Sequence, residues 1–203
     1  MNLNITAYGL LKILFIFAIN LMFYIDGKVI IPVQTIYVED FYLRKNPDLI
    51  ELFKNRRKRL YKYFYEKGIA DGQCASPAFD IKYYLESNED LKNAFGTNYT
   101  AGYEHFLRFG KYEGRDLSPV FDLGYYIQNN QDVANTYPNN TDKIMDHFLR
   151  HGMDEGRLSS PHFNLEAYKT RNDDLRNICN SNKDYYYHYC IFGKYEGRLA
   201  TFE

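Results

Sequence analysis

The sequence predicts an all-α protein of four tandem repeats, each about 42 residues, stacked as a compact or solenoid-like array. Three observations lead there. Tyr42, Tyr84, Tyr126 and Tyr168 recur at a constant interval, and the same register superposes Asn46, Asn88, Asn130 and Asn172, then Asp48, Asp90, Asp132 and Asp174. Gly68, Gly110, Gly152 and Gly193 follow in the same frame, the last one residue early. Within each period, apolar residues fall at helical spacing, as in Tyr103, Phe106 and Leu107 or Met145, Phe148 and Leu149.

The elements of one period can be justified in turn. Asp80, Asp122 and Asn164 stand directly before IKYYLES, LGYYIQN and LEAYKTR, where a side-chain oxygen caps a helix start. Each of these first helices has about two turns. Asn46-Pro47-Asp48 then reads as an N-cap, a proline in the first turn and an acid favoured by the helix dipole, so a second helix begins at the shared asparagine. A third helix follows a polar loop. Its end is expected at the recurring first glycine of GIADGQ, GKYEGR, GMDEGR and GKYEGR, in a left-handed C-terminal conformation. Ser76-Pro77, Ser118-Pro119 and Ser160-Pro161 punctuate the joints, giving repeats at 37–78, 79–120, 121–162 and 163–203.

Composition narrows the function classes. The chain has 203 residues, 21 Tyr, 15 Phe and no Trp, so rings must build much of the core. The net charge of −1 gives no electrostatic footprint for nucleic acid. From Leu10 to Tyr24 the run LLKILFIFAINLMFY is apolar apart from Lys12 and Asn20. Its length suits a signal-peptide core better than a spanning helix, and residues 1–27 are expected to be a secretory signal, with an uncleaved anchor or a buried helix as the alternatives. Any membrane contact is expected through this leader only. An oxidising compartment would follow, and there Asn98 and Asn139, both in Asn-x-Thr sequons on the loop before the third helix, are candidate glycosylation sites. That loop carries Arg56–Arg59 in the first repeat, which reads as a solvated charge run or as a processing or polyanion site.

Candidate chemistry dissolves in the register. GKYEGR lacks the G-x-x-x-x-G-K-[ST] pattern of a phosphate loop and recurs as a turn. His147 and His151 have metal-ligand spacing but no H-E-x-x-H, and His147 aligns with His105 and His188. No catalytic residues, cofactor or metal site are expected. Cys179 and Cys190 fall at core positions of the last repeat and are expected to form a disulfide, or else to be two buried hydrophobes; Cys74 is left over as a free or intermolecular thiol.

FDIKYYLESNEDL with HFLRFGKYEGRDLSPVFD, and FDLGYYIQNNQDV with HFLRHGMDEGRLSSPHF, resemble the F-D-x-x-Y-Y-L-x-x-N-P-D-V and H-Y/F-x-x-x-G-x-x-E-G-R repeats found in tandem in bacterial secreted and surface proteins and beside some glycan-modifying enzymes. The resemblance covers about residues 37 to 200. It departs in the first repeat, where Tyr37-Val38 replaces Phe-Asp and Gln73 replaces Arg. It implies a binding or structural module without catalysis. The expected partner is a glycan or an extracellular surface protein, held by exposed rings such as Tyr185, Tyr186 and Tyr187. The alternatives are a self-associating coat, wall or matrix protein and an accessory of a glycan-acting enzyme.

Overall fold

The computed structural model describes residues 36–202; the secretory signal expected at residues 1–27 lies outside them. The described chain is mostly helical, with two short strands. The described helices fall in four consecutive segments. The first holds α1 (Glu39–Lys45), α2 (Asp48–Phe53) and α3 (Arg57–Tyr63), and α3 runs on as a π-helical turn over Phe64–Gly68. The second holds α4 (Ile81–Glu86), α5 (Glu89–Phe95) and α6 (Tyr99–Arg108). The strands β1 (Asp116–Ser118) and β2 (Phe121–Asp122) lie between it and α7 (Leu123–Asn129), α8 (Gln131–Thr136) and α9 (Thr141–His147). In the last segment α10 (Leu165–Arg171) leads through a 3-10 turn, Asp173–Asn177, to α11 (Asn182–His188). Among the described residues no helix is long and apolar enough to cross a membrane.

The first helices start where the sequence predicts. Asp80 accepts from the Lys82 and Tyr83 amides, Asp122 from Tyr125 and Asn164 from Ala167, satisfying donors that have no partner inside the helix. The backbone just before each helix is tied to the end of its own segment: Val38, Asp80, Asp122 and Asn164 donate to the carbonyls of Ala75, Leu117, Ser159 and Ala200. The Ser-Pro joints are small antiparallel turns rather than plain punctuation. Ser76 bridges Phe79, Ser118 pairs with Phe121 and Ser160 bridges Phe163, and the middle joint extends into the β1–β2 pair.

Aromatic triads fill the segments. Phe79 stacks on Phe106 at 3.9 Å and Phe121 on Phe148 at 4.5 Å, while Tyr84 and Tyr126 meet the same partners edge-on. Tyr37, Tyr42 and Phe64 form the first triad, and Phe163, Tyr168 and Tyr189 the last. Each buried ring is worth about 1.5–3 kcal/mol in area removed from water. The hydroxyls of Tyr84, Tyr126 and Tyr168 are also satisfied, by hydrogen bonds of 2.8, 2.9 and 2.8 Å to Nδ1 of His105, His147 and His188.

Two expectations are corrected. The recurring first glycine is not in a left-handed conformation; Gly72, Gly114, Gly156 and Gly197, the second glycines, have φ of 66° to 69°. A Cβ at Gly110, Gly152 or Gly193 would instead fall on the hydroxyl of Tyr84, Tyr126 or Tyr168, so the first glycine is there to let the tyrosine reach its histidine. Nor do the shared asparagines cap second helices with their side chains. Asn46, Asn88, Asn130 and Asn172 turn back and donate from Nδ2 to the carbonyl of the tyrosine four residues earlier, closing the first helix.

The second-helix acids find a different partner. Arg115 joins Glu113, Asp90 and Asn88; Arg157 joins Glu155, Asp132 and Asn130; Arg198 joins Glu196, Asp174 and Asn172. The G-x-x-E-G-R turn therefore clamps the start of the second helix in its own segment. The arginine hydrogen bonds hold Asp90, Asp132 and Asp174 below the usual carboxylate range.

The half-buried histidines of the tyrosine–histidine pairs make stability depend on pH. Burial pushes His147 and His188 below the ordinary value of 6.5, and the charges of Arg157 and Arg198 push the same way, against Glu155 and Asp132 at His147 and against Glu196 and Asp174 at His188. A base whose folded pKa is depressed contributes stability that is present above its unfolded value and lost as pH falls through the folded one. The melting temperature should therefore fall between pH 7 and pH 5. The slope should be shallower in a His147→Gln/His188→Gln variant; equal slopes would contradict this account.

Candidate binding cleft

Tyr185, Tyr186 and Tyr187 are not the exposed rings the sequence suggested: all three are buried, at 7%, 1% and 1% exposure. Tyr186 lies in the same register as Tyr103, and both anchor one segment to the one before it. Tyr103 donates to the Gln73 carbonyl and Tyr186 to the Arg157 carbonyl, each at 3.1 Å. Tyr187 packs edge-on against Phe41 and donates to Asp40, which holds the last segment against the first.

For the cysteines the structure takes the second of the two expectations. Cys74, Cys179 and Cys190 are all free and buried, so the Cys179–Cys190 disulfide is not formed. Cys74 donates its thiol to the Ser76 and Phe79 carbonyls, an internal role that leaves it no access to a second molecule. Burial pushes the Cys74 and Cys190 thiols up to about 12, so neither is a nucleophile at neutral pH. The sequon residues Asn98 and Asn139 are exposed, as are Arg56–Arg59. His147 and His151 lie ring to ring at 5.5 Å, with Nδ1 of His147 taken by Tyr126.

Among the described residues, Phe109, Tyr112, Phe192, Tyr195 and Phe202 face solvent, each more than half exposed. Tyr112 and Tyr195 are the tyrosines of the two GKYEGR turns, at 62% and 69% exposure. Both have the preceding lysine over the ring, with Lys111 at 5.2 Å and Lys194 at 4.9 Å from the centroid. Sequence reasoning missed them, although the repeated Lys-Tyr was legible. The lysines differ in what they reach: Lys111 bonds Asp142 on α9, whereas Lys194 bonds Asp80, the N-cap of α4, at 2.9 Å.

Around Tyr195 the first, second and last segments meet at a cavity of ≈ 190 Å³, lined by Lys45, Gln73, Asp80, Lys82 and Tyr195 among others. Asp80 is 5% exposed and fully engaged, accepting from two amides and from Lys194. Burial alone would push its carboxyl up, but the Lys194 ammonium, helped by Lys45 and the Tyr83 amide, outweighs that and holds it below the usual range. Lys194 in turn is raised, because Asp80 more than offsets the cost of burying the ammonium. Lys45 lies 5.7 Å from the Tyr195 ring centroid and donates to the Cys190 carbonyl at 3.4 Å. A second cavity, ≈ 290 Å³, lies between Arg44, Cys179, Asp184 and Phe192, bounded by the 2.9 Å Arg44–Asp184 ion pair.

No family model, curated protein or solved structure matches the chain.

Proposed function

We propose that the chain is a secreted or cell-surface repeat protein that binds a glycan and catalyses no reaction. In this reading the four segments are copies of one unit, closed by contact between the last and the first rather than left as an open solenoid. The observation that carries it is the pair of exposed rings Tyr112 and Tyr195, each beside a largely buried lysine, presented by a protein that encloses so many of its other described rings. Tyrosine offers a flat apolar face for a sugar ring together with a polar edge, at little conformational cost. The resemblance to repeats of secreted and surface proteins supports the same reading, and the apolar leader supports the compartment. Intermolecular linkage through Cys74, one route to a self-associating matrix, loses its support because that thiol is buried.

Tyr112→Ala and Tyr195→Ala should each leave the melting temperature almost unchanged, since exposed positions contribute within about ±0.5 kcal/mol. Combined, they should weaken retention on immobilised polysaccharide by about tenfold or more, the loss of roughly one stacking contact per site. Undiminished retention of the double variant would remove the reading's main support.

A further inference from the structure

The first segment departs from the other three where the cleft opens. In those segments the last residue of the turn is an arginine that fills the space between the shared asparagine and the second-helix acid. Here it is Gln73, and the histidine that would take the tyrosine hydroxyl is Tyr63. Tyr42 therefore donates to Gln73 Oε1. The consequence is an opening with unused polar groups. Among the described residues, Gln73 Nε2 and Asn46 Oδ1 have no protein hydrogen-bond partner, yet neither is sealed from solvent.

Charge accumulates at the same place. Lys45, Lys82 and Lys194 converge there from three segments, and the nearby Asp80 is already matched by Lys194. Neither Lys45 nor Lys82 forms an ion pair among the described residues. Lys45 acts on the Asp80 carboxylate from beyond ion-pair distance and Lys82 lies over the Tyr99 ring at 5.6 Å. The cleft thus joins two ammonium groups without an ion-pair partner, an amide donor, a carbonyl acceptor and the exposed Tyr195 ring. Its ≈ 190 Å³ is below the roughly 300–1,000 Å³ of a pocket for a whole small molecule, which fits one residue of a longer chain.

We propose that this cleft is the subsite for an acidic sugar residue of a polysaccharide: its carboxylate lies between Lys45 and Lys82, its ring face on Tyr195, and its hydroxyls against Gln73 Nε2 and Asn46 Oδ1. A carboxylate suits this pair of cations because charge-assisted hydrogen bonds are shorter and stronger than neutral ones. The inference rests on the glycan reading above and names the class of sugar.

The test is calorimetric titration of the full chain with trigalacturonate, with its fully methyl-esterified form and with inorganic phosphate. The acid is expected to bind at least tenfold more tightly than the ester, and Lys45→Gln/Lys82→Gln to abolish that preference. Gln73→Arg restores the residue found in the other three segments; it should fill the cleft and reduce binding of both sugars at least tenfold while the chain still melts cooperatively. Equal affinity for acid and ester, or a preference that survives Lys45→Gln/Lys82→Gln, overturns the inference and leaves the glycan reading standing if Tyr112→Ala/Tyr195→Ala still weakens binding. Phosphate binding as tight as that of the sugar acid also overturns it, in favour of a general anion site. Failure of both sugars to bind overturns the inference, and the glycan reading then stands or falls on the polysaccharide retention of Tyr112→Ala/Tyr195→Ala.

Discussion

Gly110→Ala should destabilise the protein by about 3 kcal/mol, the upper part of the range for forcing atoms into a packed interior. The new methyl would occupy the position of the Tyr84 hydroxyl and also press on the ring carbon that bears it. Tyr84 is fully buried, so its ring has nowhere to retreat, and its bond to His105 would break. The neighbouring Gly114→Ala is the control. Gly114 has a φ of 66°, but a methyl added there would meet nothing within 4 Å, so its cost is the left-handed strain alone, about 1–2 kcal/mol. At Gly68 the obstacles are looser, with Phe64 Cδ2 at 2.8 Å and Tyr42 Oη at 3.2 Å, and a smaller loss than at Gly110 is expected. Adding Tyr84→Phe to Gly110→Ala removes the obstructing oxygen and should recover part of the stability. Denaturant melts of the four variants read this directly, and a Gly110→Ala loss no larger than that of Gly114→Ala would contradict it.

Asp80→Ala is expected to cost about 3–5 kcal/mol, as when one partner of a buried ion pair is removed. The Asp80 side chain serves the Lys82 and Tyr83 amides and the Lys194 ammonium together. Asp122→Ala provides the comparison, because Asp122 caps α7 through Tyr125 and meets no lysine among the described residues. Its loss should be about 1 kcal/mol, the ordinary value of a cap. The excess at Asp80 measures the ion pair that ties the last segment to the second. Asp80→Ala/Lys194→Met should recover much of that excess, since an apolar side chain does not leave a charge stranded. Equal losses for Asp80→Ala and Asp122→Ala would show that Lys194 contributes nothing there.

The register of tyrosines, asparagines and glycines made the helices and their order legible, because helical periodicity and N-caps are local features. Asp80, Asp122 and Asn164 cap as the sequence implies, since a cap needs only residues a few places away. The first glycines show the limit of that reasoning. A glycine after a helix suggests a left-handed turn, yet the reason at Gly110 is a tyrosine on another helix, 26 residues earlier in the chain by the difference of 110 and 84. Tyr186 was open to correction from the sequence itself, since its register with Tyr103 marks a core position. The free Cys179 and Cys190 were not, because side-chain direction on two short helices decides whether thiols can meet.

The sequence by itself determined the mostly helical class, the helix starts and the recurrence of residue types, all of which follow from short-range spacing. Only the tertiary structure decided which rings face water, where the arginines clamp and how the last segment meets the first. Those outcomes depend on contacts such as Tyr187 with Asp40 and Lys194 with Asp80, between residues far apart in the chain, and no local pattern encodes them.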